Sequence, residues 1–201
     1  MRNTALALEP LYCMLLKHYI INLIFNMPIY HLMKRFIILF SIILLTFNNA
    51  WAANLAVGKS VPSISIKTFD GQTITNSSAK GRILVIHLWA TWCDSCQKEM
   101  PALESFYQKY QKNGVEVVAI SVDDRSDLNK VKSVLKDFTF KGAMEADSDI
   151  QKLGRVWRVP VTFIIDQNSI LRKNGWEGDP IVDEASLEKI VAPLLTPKVN
   201  N

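Results

Sequence analysis

The chain has 201 residues, 49% of them hydrophobic, with 23 Lys and Arg against 19 Asp and Glu, and three cysteines. That length and charge density suit one ordinary globular domain; they exclude a disordered chain, a disulfide-dense scaffold and a nucleic-acid-binding domain with a strong basic patch. The basic excess is local: residues 1–52 hold Arg2, Lys17, Lys34 and Arg35 against Glu9 alone, whereas residues 53–201 hold 19 basic and 18 acidic residues.

The first 52 residues read as a leader. Met33-Lys34-Arg35 is a short positive start, Phe36 to Phe47 is an apolar run, and Ala50-Trp51-Ala52 is a small-x-small site before Ala53. These are the three parts of an export signal over about residues 33–52. The apolar run is shorter than the ~20 residues of a membrane span, which favours a cleaved signal over an uncleaved anchor. Residues 1–32 hold a second apolar stretch, Leu11 to Phe25, broken by Lys17 and His18. Signals seldom begin so deep in a chain, so translation is expected to start at Met33 or Met27; an extended membrane anchor is the other reading. Residues 53–201 are then one exported domain, large enough to bury its own core.

From Val57 the pattern alternates. Ile64, Ile66 and Thr68 alternate with polar residues, Asp70-Gly71 turns the chain, and Thr73 to Thr75 returns, which predicts a hairpin. Arg82 to Ala90 is almost continuously apolar, as in a strand covered on both faces. Asp94 to Asn113 reads as a helix stopped by Gly114, and Val115 to Val122 as a second buried strand. Ser126 is the expected cap of a helix reaching about Asp137. A short strand near Ala143 to Ala146 and a helical turn at Ser148 to Leu153 follow. Val161 to Ile165 and Ile170 to Asn174 form a hairpin, and Asp183 to Leu195 closes the chain as an amphipathic helix. The order implies an α/β fold with a mixed sheet.

Cys93 and Cys96, the only cysteines after the leader, lie between a buried strand and a helix start in Trp92-Cys93-Asp94-Ser95-Cys96. A pair three apart can close a disulfide. A purely structural bridge would gain only about 2 kcal/mol from so short a loop. Structural zinc wants four ligands, and the domain offers these two thiols and His87. Redox exchange is the use the pattern favours. A helix N-terminus favours a thiolate, so Cys93, ahead of the first turn, is the expected exposed nucleophile, and Cys96, one turn inside, the shielded thiol that acts second.

The run Leu88 to Pro101 (LWATWCDSCQKEMP) resembles the active-site segment of the TlpA/ResA-like branch of the thioredoxin superfamily. The likeness covers most of residues 57–195, including Gly58-Lys59-x-x-Pro62, Asp70-Gly71, Lys80-Gly81 and Val159-Pro160 before Val161. It implies a thioredoxin-like mixed sheet flanked by helices, with an N-terminal β-hairpin and a central αβ insertion. It also implies an exported, periplasmic or otherwise extracytoplasmic thiol-disulfide oxidoreductase with no cofactor beyond a redox-active Cys93–Cys96 pair. By the same resemblance the protein reduces protein disulfides, those of apocytochrome c among the candidates, is recharged by a membrane thiol carrier, and binds no nucleic acid; a monomer is expected. Glu99 takes the position of a family active-site carboxylate, able to accept the proton of Cys96; an ordinary helix-surface glutamate is the alternative. Pro160 matches the family's cis-proline, with Val159 offering backbone to a substrate strand. Trp92 is expected as a partly exposed aromatic beside Cys93, or else as a core residue.

Three departures bear on the substrate. His87 stands where thioredoxins bury an aspartate, either as a satisfied core residue or as a proton relay beneath Cys96. Trp157-Arg158 replaces a small residue and glycine before the cis-proline, narrowing the groove and making it positive. Asp94-Ser95 replaces a proline-containing dipeptide, and with Glu99 it opposes the helix dipole, which predicts a reductant. Two rival functions share the fold. A thiol peroxidase wants Thr three residues before its reactive cysteine, whereas Thr91 is two before Cys93. A Cu(I) chaperone would use both thiolates and His87.

Overall fold

A computed structural model describes residues 9–25, 28–47, 55–77 and 81–195, and the chain divides into two units, residues 1–52 and 53–201. The first contributes helices α1 (Glu9–Phe25) and α2 (Pro28–Phe47). The apolar run Phe36 to Phe47 lies within α2, and the expected cleavage site at Ala50 to Ala52 lies outside the described residues. Among the described residues no helix is long and apolar enough to cross a membrane.

The second unit is built on a seven-stranded mixed sheet. Its strands are β1 (Ser65–Thr68), β2 (Thr73–Thr75), β3 (Ile83–Trp89), β4 (Val115–Ser121), β5 (Lys141–Ser148), β6 (Val161–Ile165) and β7 (Leu171–Lys173), in the order β2-β1-β5-β4-β3-β6-β7. β3 runs parallel to β4 and antiparallel to β6, and β4 runs parallel to β5. Three adjacent strands, β4, β3 and β6, are buried along their whole length, so their apolar runs show no alternation. Three helices follow in sequence, α3 (Asp94–Tyr110), α4 (Leu128–Leu135) and α5 (Glu184–Val191). The hairpin β1–β2 adds to one sheet edge through β5, and α4 with β5 forms the unit inserted between β4 and β6.

Burial separates the two faces. Ile83, Val85 and Trp89 join Cys96, Met100, Leu103 and Phe106 of α3, Val131 and Leu135 of α4, and Leu187 and Val191 of α5. Leu84, Ile86 and Leu88 point the other way, onto Val61, Ile64, Ile150, Leu153 and Phe163. No long helix is needed on that second face because the chain itself covers it. Residues 58–61 pair along β7, through Gly58 N–H to the Leu171 carbonyl and Leu171 N–H to the Lys59 carbonyl, before Ile64 leads across to β1, next to the opposite edge.

Four boundaries differ from the sequence pattern. Ser126 does not cap α4; it sits inside a 3-10 turn at Arg125–Asp127, and the α-helix runs only from Leu128 to Leu135. The expected strand at Ala143 to Ala146 is twice as long, because β5 is paired on both sides by backbone and tolerates the polar residues of KGAMEADS. The first long helix gives way to a 3-10 turn at Gln111–Asn113 before Gly114. The last helix likewise becomes 3-10 at Ala192–Leu194, where Pro193 has no N–H to continue the α pattern. Its start is as read: Asp183 caps α5 by accepting from Ser186 N–H at 2.7 Å.

Candidate active site

β3 ends at Trp89 and the chain enters α3 through Ala90 to Cys93. Cys93 is the N-cap residue, with extended backbone (φ −98°, ψ 96°), and Cys96 lies in the first turn. The two form a disulfide, with Cα atoms 5.3 Å apart. The Cys96 N–H points at Cys93 Sγ at 3.2 Å, and Ser95 Oγ lies 3.4 Å from the same sulfur. These donors belong to the first helix turn, whose amides have no intrahelical acceptor. The arrangement can therefore favour a thiolate at Cys93. Cys93 is less open than expected, at 7% exposure against 0% for Cys96, because its sulfur is turned back over the helix start. Trp92 beside it is 64% exposed and is not a core residue.

The loop before Cys93 is clamped from β4. Asp123 accepts from Thr91 N–H at 2.8 Å and from the Thr91 hydroxyl at 2.7 Å, while Ser121 Oγ donates to it at 2.6 Å. Burial pushes the Asp123 carboxyl up, but the bonds from Ser121 and Thr91 outweigh it and hold it below its ordinary range. Gln97 Nε2 closes the loop from the helix side, donating to the Thr91 carbonyl at 2.7 Å. Asp123 was not among the residues singled out by sequence. The signal was present: parallel strands ending in ATWC and SVDD finish at the same end of the sheet, with Trp89 opposite Ser121.

Behind the disulfide lies a buried polar group. Residues 83, 85, 87 and 89 share one face of β3, so the pleat carries His87 toward α3, and the 3–4 spacing of Cys96, Glu99, Met100 and Leu103 turns Glu99 inward. Glu99 is 5% exposed, which removes the helix-surface alternative. Neither carboxyl oxygen has a hydrogen-bond partner. Burial pushes the Glu99 pKa up to about 7. The Val182 amide and Lys173 oppose that shift without closing a hydrogen bond, and Asp179 reinforces it. His87 is fully buried; its Nδ1 meets Thr162 Oγ1 at 3.0 Å, while Nε2 has no partner. Burial drives its pKa down to about 4. His87 Nδ1 and Glu99 Oε2 are 4.0 Å apart, but at neutral pH the imidazole is uncharged, so the two are not an ion pair. His87 is thus only half satisfied, and Thr162, its partner across β6, was not foreseen.

The Val159–Pro160 peptide bond is cis, Pro160 is buried, and Val159 packs against the cluster that contains Cys93 and Cys96. Because β6 is antiparallel to β3, with Val161 opposite Leu88, the residues before Val161 stand at the same sheet end as Ala90 to Cys93. The structure thus brings Trp92, Cys93, Cys96, Val159 and Pro160 to one end of the sheet, with Glu99 and His87 beneath the helix start. Among the described residues no three His, Cys, Asp or Glu side chains converge as a metal site.

Comparison with known proteins finds relatives over most of the second unit. Residues 57–174 match the AhpC/TSA family. Thiol-disulfide oxidoreductase ResA of Bacillus cereus is 29% identical over 138 residues, spanning 68% of this chain and 75% of the relative. ResA of Geobacillus thermodenitrificans is 30% identical over 120 residues, 59% and 68% of the two chains. Among solved structures, a thiol:disulfide interchange protein of the thioredoxin family from Chlorobium tepidum TLS superposes with a TM-score of 0.58 at 24% identity, covering 70% of this chain and 99% of its own. StoA of Bacillus subtilis superposes with a TM-score of 0.52 at 21% identity, covering 66% and 99%. At those identities the structural likeness speaks for the thioredoxin-like fold.

Proposed function

This chain belongs to the AhpC/TSA family, in its branch of ResA-like thiol-disulfide oxidoreductases, and we propose from that premise that it reduces disulfides of exported proteins by two-step exchange through Cys93 and Cys96. As a protein disulfide oxidoreductase it moves two electrons per turnover. The Cys93 thiolate attacks one sulfur of the substrate disulfide, forming a mixed disulfide and releasing the other substrate sulfur as a thiolate. Cys96 then gives up its proton and attacks Cys93 Sγ; the second substrate thiol leaves and the protein is left with the Cys93–Cys96 disulfide. The substrate gains two electrons and two protons.

The observation that carries this reading is the disulfide at the start of α3 with an unpartnered buried carboxyl one turn further in. Residues 96 and 99 face the same side of the helix. A carboxyl held near neutrality is suited to take the Cys96 proton during the second attack. Trp92, Val159 and Pro160 supply the surface against which a substrate strand lies. His87 sets the polarity beneath Glu99, as an uncharged imidazole fixed by Thr162.

The leader supports action outside the cytoplasm, with a membrane thiol carrier restoring the dithiol and apocytochrome c among the substrates. The geometry supports dithiol exchange over the two rivals. Thr91 gives its hydroxyl to Asp123, where a peroxidase would need it at the sulfur, and His87 is 0% exposed within a strand, where a copper ligand would need to reach two thiolates. Turnover of a protein disulfide with dithiothreitol as electron source tests the proposal: the wild-type chain is active, Cys93→Ser is inactive, and activity surviving in Cys93→Ser would overturn it.

A further inference from the structure

The segment leading into Pro160 carries chemistry that the exchange of sulfurs does not use. From residue 150 to 165 the chain has Lys152, Arg155 and Arg158 and no acidic residue. Lys152 is paired with Asp149 at 2.8 Å. Among the described residues neither Arg155 nor Arg158 meets a carboxylate. Trp157, between them, is 68% exposed.

This exposed tryptophan is held in place by a scaffold beneath it. Its ring stacks on Trp176, with centroids 6.2 Å apart and planes 24° from parallel. Trp176 in turn stands edge-on to Phe163 at 5.5 Å and donates Nε1–H to the Leu153 carbonyl at 2.6 Å. Two glycines leave the room this requires. A Cβ on Gly154 would come within 2.6 Å of Trp176 Nε1, and one on Gly175 within 2.4 Å of Val161 Cγ1. The Arg158 guanidinium lies 5.0 Å from the Trp157 ring and donates to the Gly175 carbonyl at 3.1 Å. A fixed cation therefore lies against a fixed aromatic face, two and three residues before the cis-proline.

We propose that Trp157 and Arg158 form a recognition ledge for the substrate strand, selecting a polypeptide disulfide that carries an acidic residue next to its reactive cysteine. The inference rests on the exchange reading above and names the class of substrate for that same site. The antiparallel register of β3 and β6 brings the chain just before Val161 to the sheet end that carries Cys93, and Val159, next to Arg158, packs against the cluster of Cys93 and Cys96. An extended strand laid along Val159 and Pro160 passes the ledge, where its apolar part covers the Trp157 ring and its carboxylate meets Arg158. Asp94, exposed just after Cys93, has the opposite sign. The acidic residue therefore belongs on the ledge side of the substrate cysteine.

The test is the specificity constant of the full chain for disulfide-bonded peptides identical except for Glu, Gln or Lys beside the reactive cysteine. The Glu peptide is reduced fastest and the Lys peptide slowest. Their ratio is roughly three- to fivefold, the range of an exposed ion pair, and it shrinks as salt is raised. Arg158→Gln brings the Glu and Lys peptides together, Arg158→Lys keeps their order, and Trp157→Ala slows all three alike. An unchanged Glu-to-Lys ratio in Arg158→Gln, or faster reduction of the Lys peptide, would overturn the proposal. Should Arg158→Gln not fold, the wild-type salt titration decides alone: a ratio indifferent to salt contradicts an ion pair. The Gln peptide, uncharged beside its cysteine, separates the two readings. Wild-type failure to reduce it removes the exchange reading itself, whereas its reduction with no discrimination between the Glu and Lys peptides removes only the ledge.

Discussion

Glu99 and His87 give the site a pH signature that each can be tested against. The Glu99 carboxyl has a pKa of about 7 in the folded chain against an ordinary 4.5. The unfolded state therefore binds fewer protons than the folded state between those values. Stability from this group is fully present below 4.5 and is lost as pH rises through 7. His87 works the other way: its folded value of about 4 lies below the ordinary 6.5, so its contribution is present above 6.5 and lost as pH falls through 4. Between 4.5 and 6.5 the two slopes oppose each other. Glu99→Gln removes one of them, so the variant is progressively destabilised by acid over that window. It also gains on the wild type by on the order of 2–3 kcal/mol as pH rises from 4.5 to 7, and the gap stays constant above that. Urea unfolding across pH measures both; parallel curves for the two proteins would contradict the buried, unpartnered carboxyl. In single-turnover reduction, the same substitution slows release of the mixed disulfide by about 100-fold while leaving its formation unchanged.

Strands and loops decide which of these residues meet. The Asp123 clamp ties the end of β4 to the loop that presents Cys93, and Asp123→Ala leaves the buried Thr91 N–H and hydroxyl without their acceptor. The expected cost is about 1–3 kcal/mol of stability. Slower mixed-disulfide formation, with substrate affinity less affected, would separate loss of positioning from general loosening. The same contacts explain what the amino-acid pattern conveyed and what it did not. β3, β4 and β6 announced themselves as apolar runs because they are covered on both faces, and the Cys93–Cys96 pair was evident from its place between strand and helix. β5 is longer than its apolar residues suggest because its register is held by backbone partners on both sides. The Asp123–Thr91 and His87–Thr162 contacts join residues 32 and 75 apart. Each depends on strand order, which local pattern does not specify. Cys93 is less exposed than its place ahead of the first turn suggests because its side chain folds back over its own helix.

For the molecule as a whole, the balance of charge around the disulfide sets the direction of electron flow. Asp94 is exposed directly after Cys93 and Glu99 lies buried one turn below Cys96, and both oppose a stable thiolate at the helix start. The net expectation is a reductant, with a potential nearer about −270 mV than about −120 mV; equilibration with glutathione measures it, and a value above about −180 mV would contradict it. The central claim, that Cys93 attacks and Cys96 resolves, is tested most directly by mass mapping of Cys96→Ser after reaction of the reduced variant with a peptide disulfide. One peptide joined to Cys93 by a bond that dithiothreitol reverses is the predicted result; no adduct at Cys93, or a peptide attached through Cys13 alone, would contradict it.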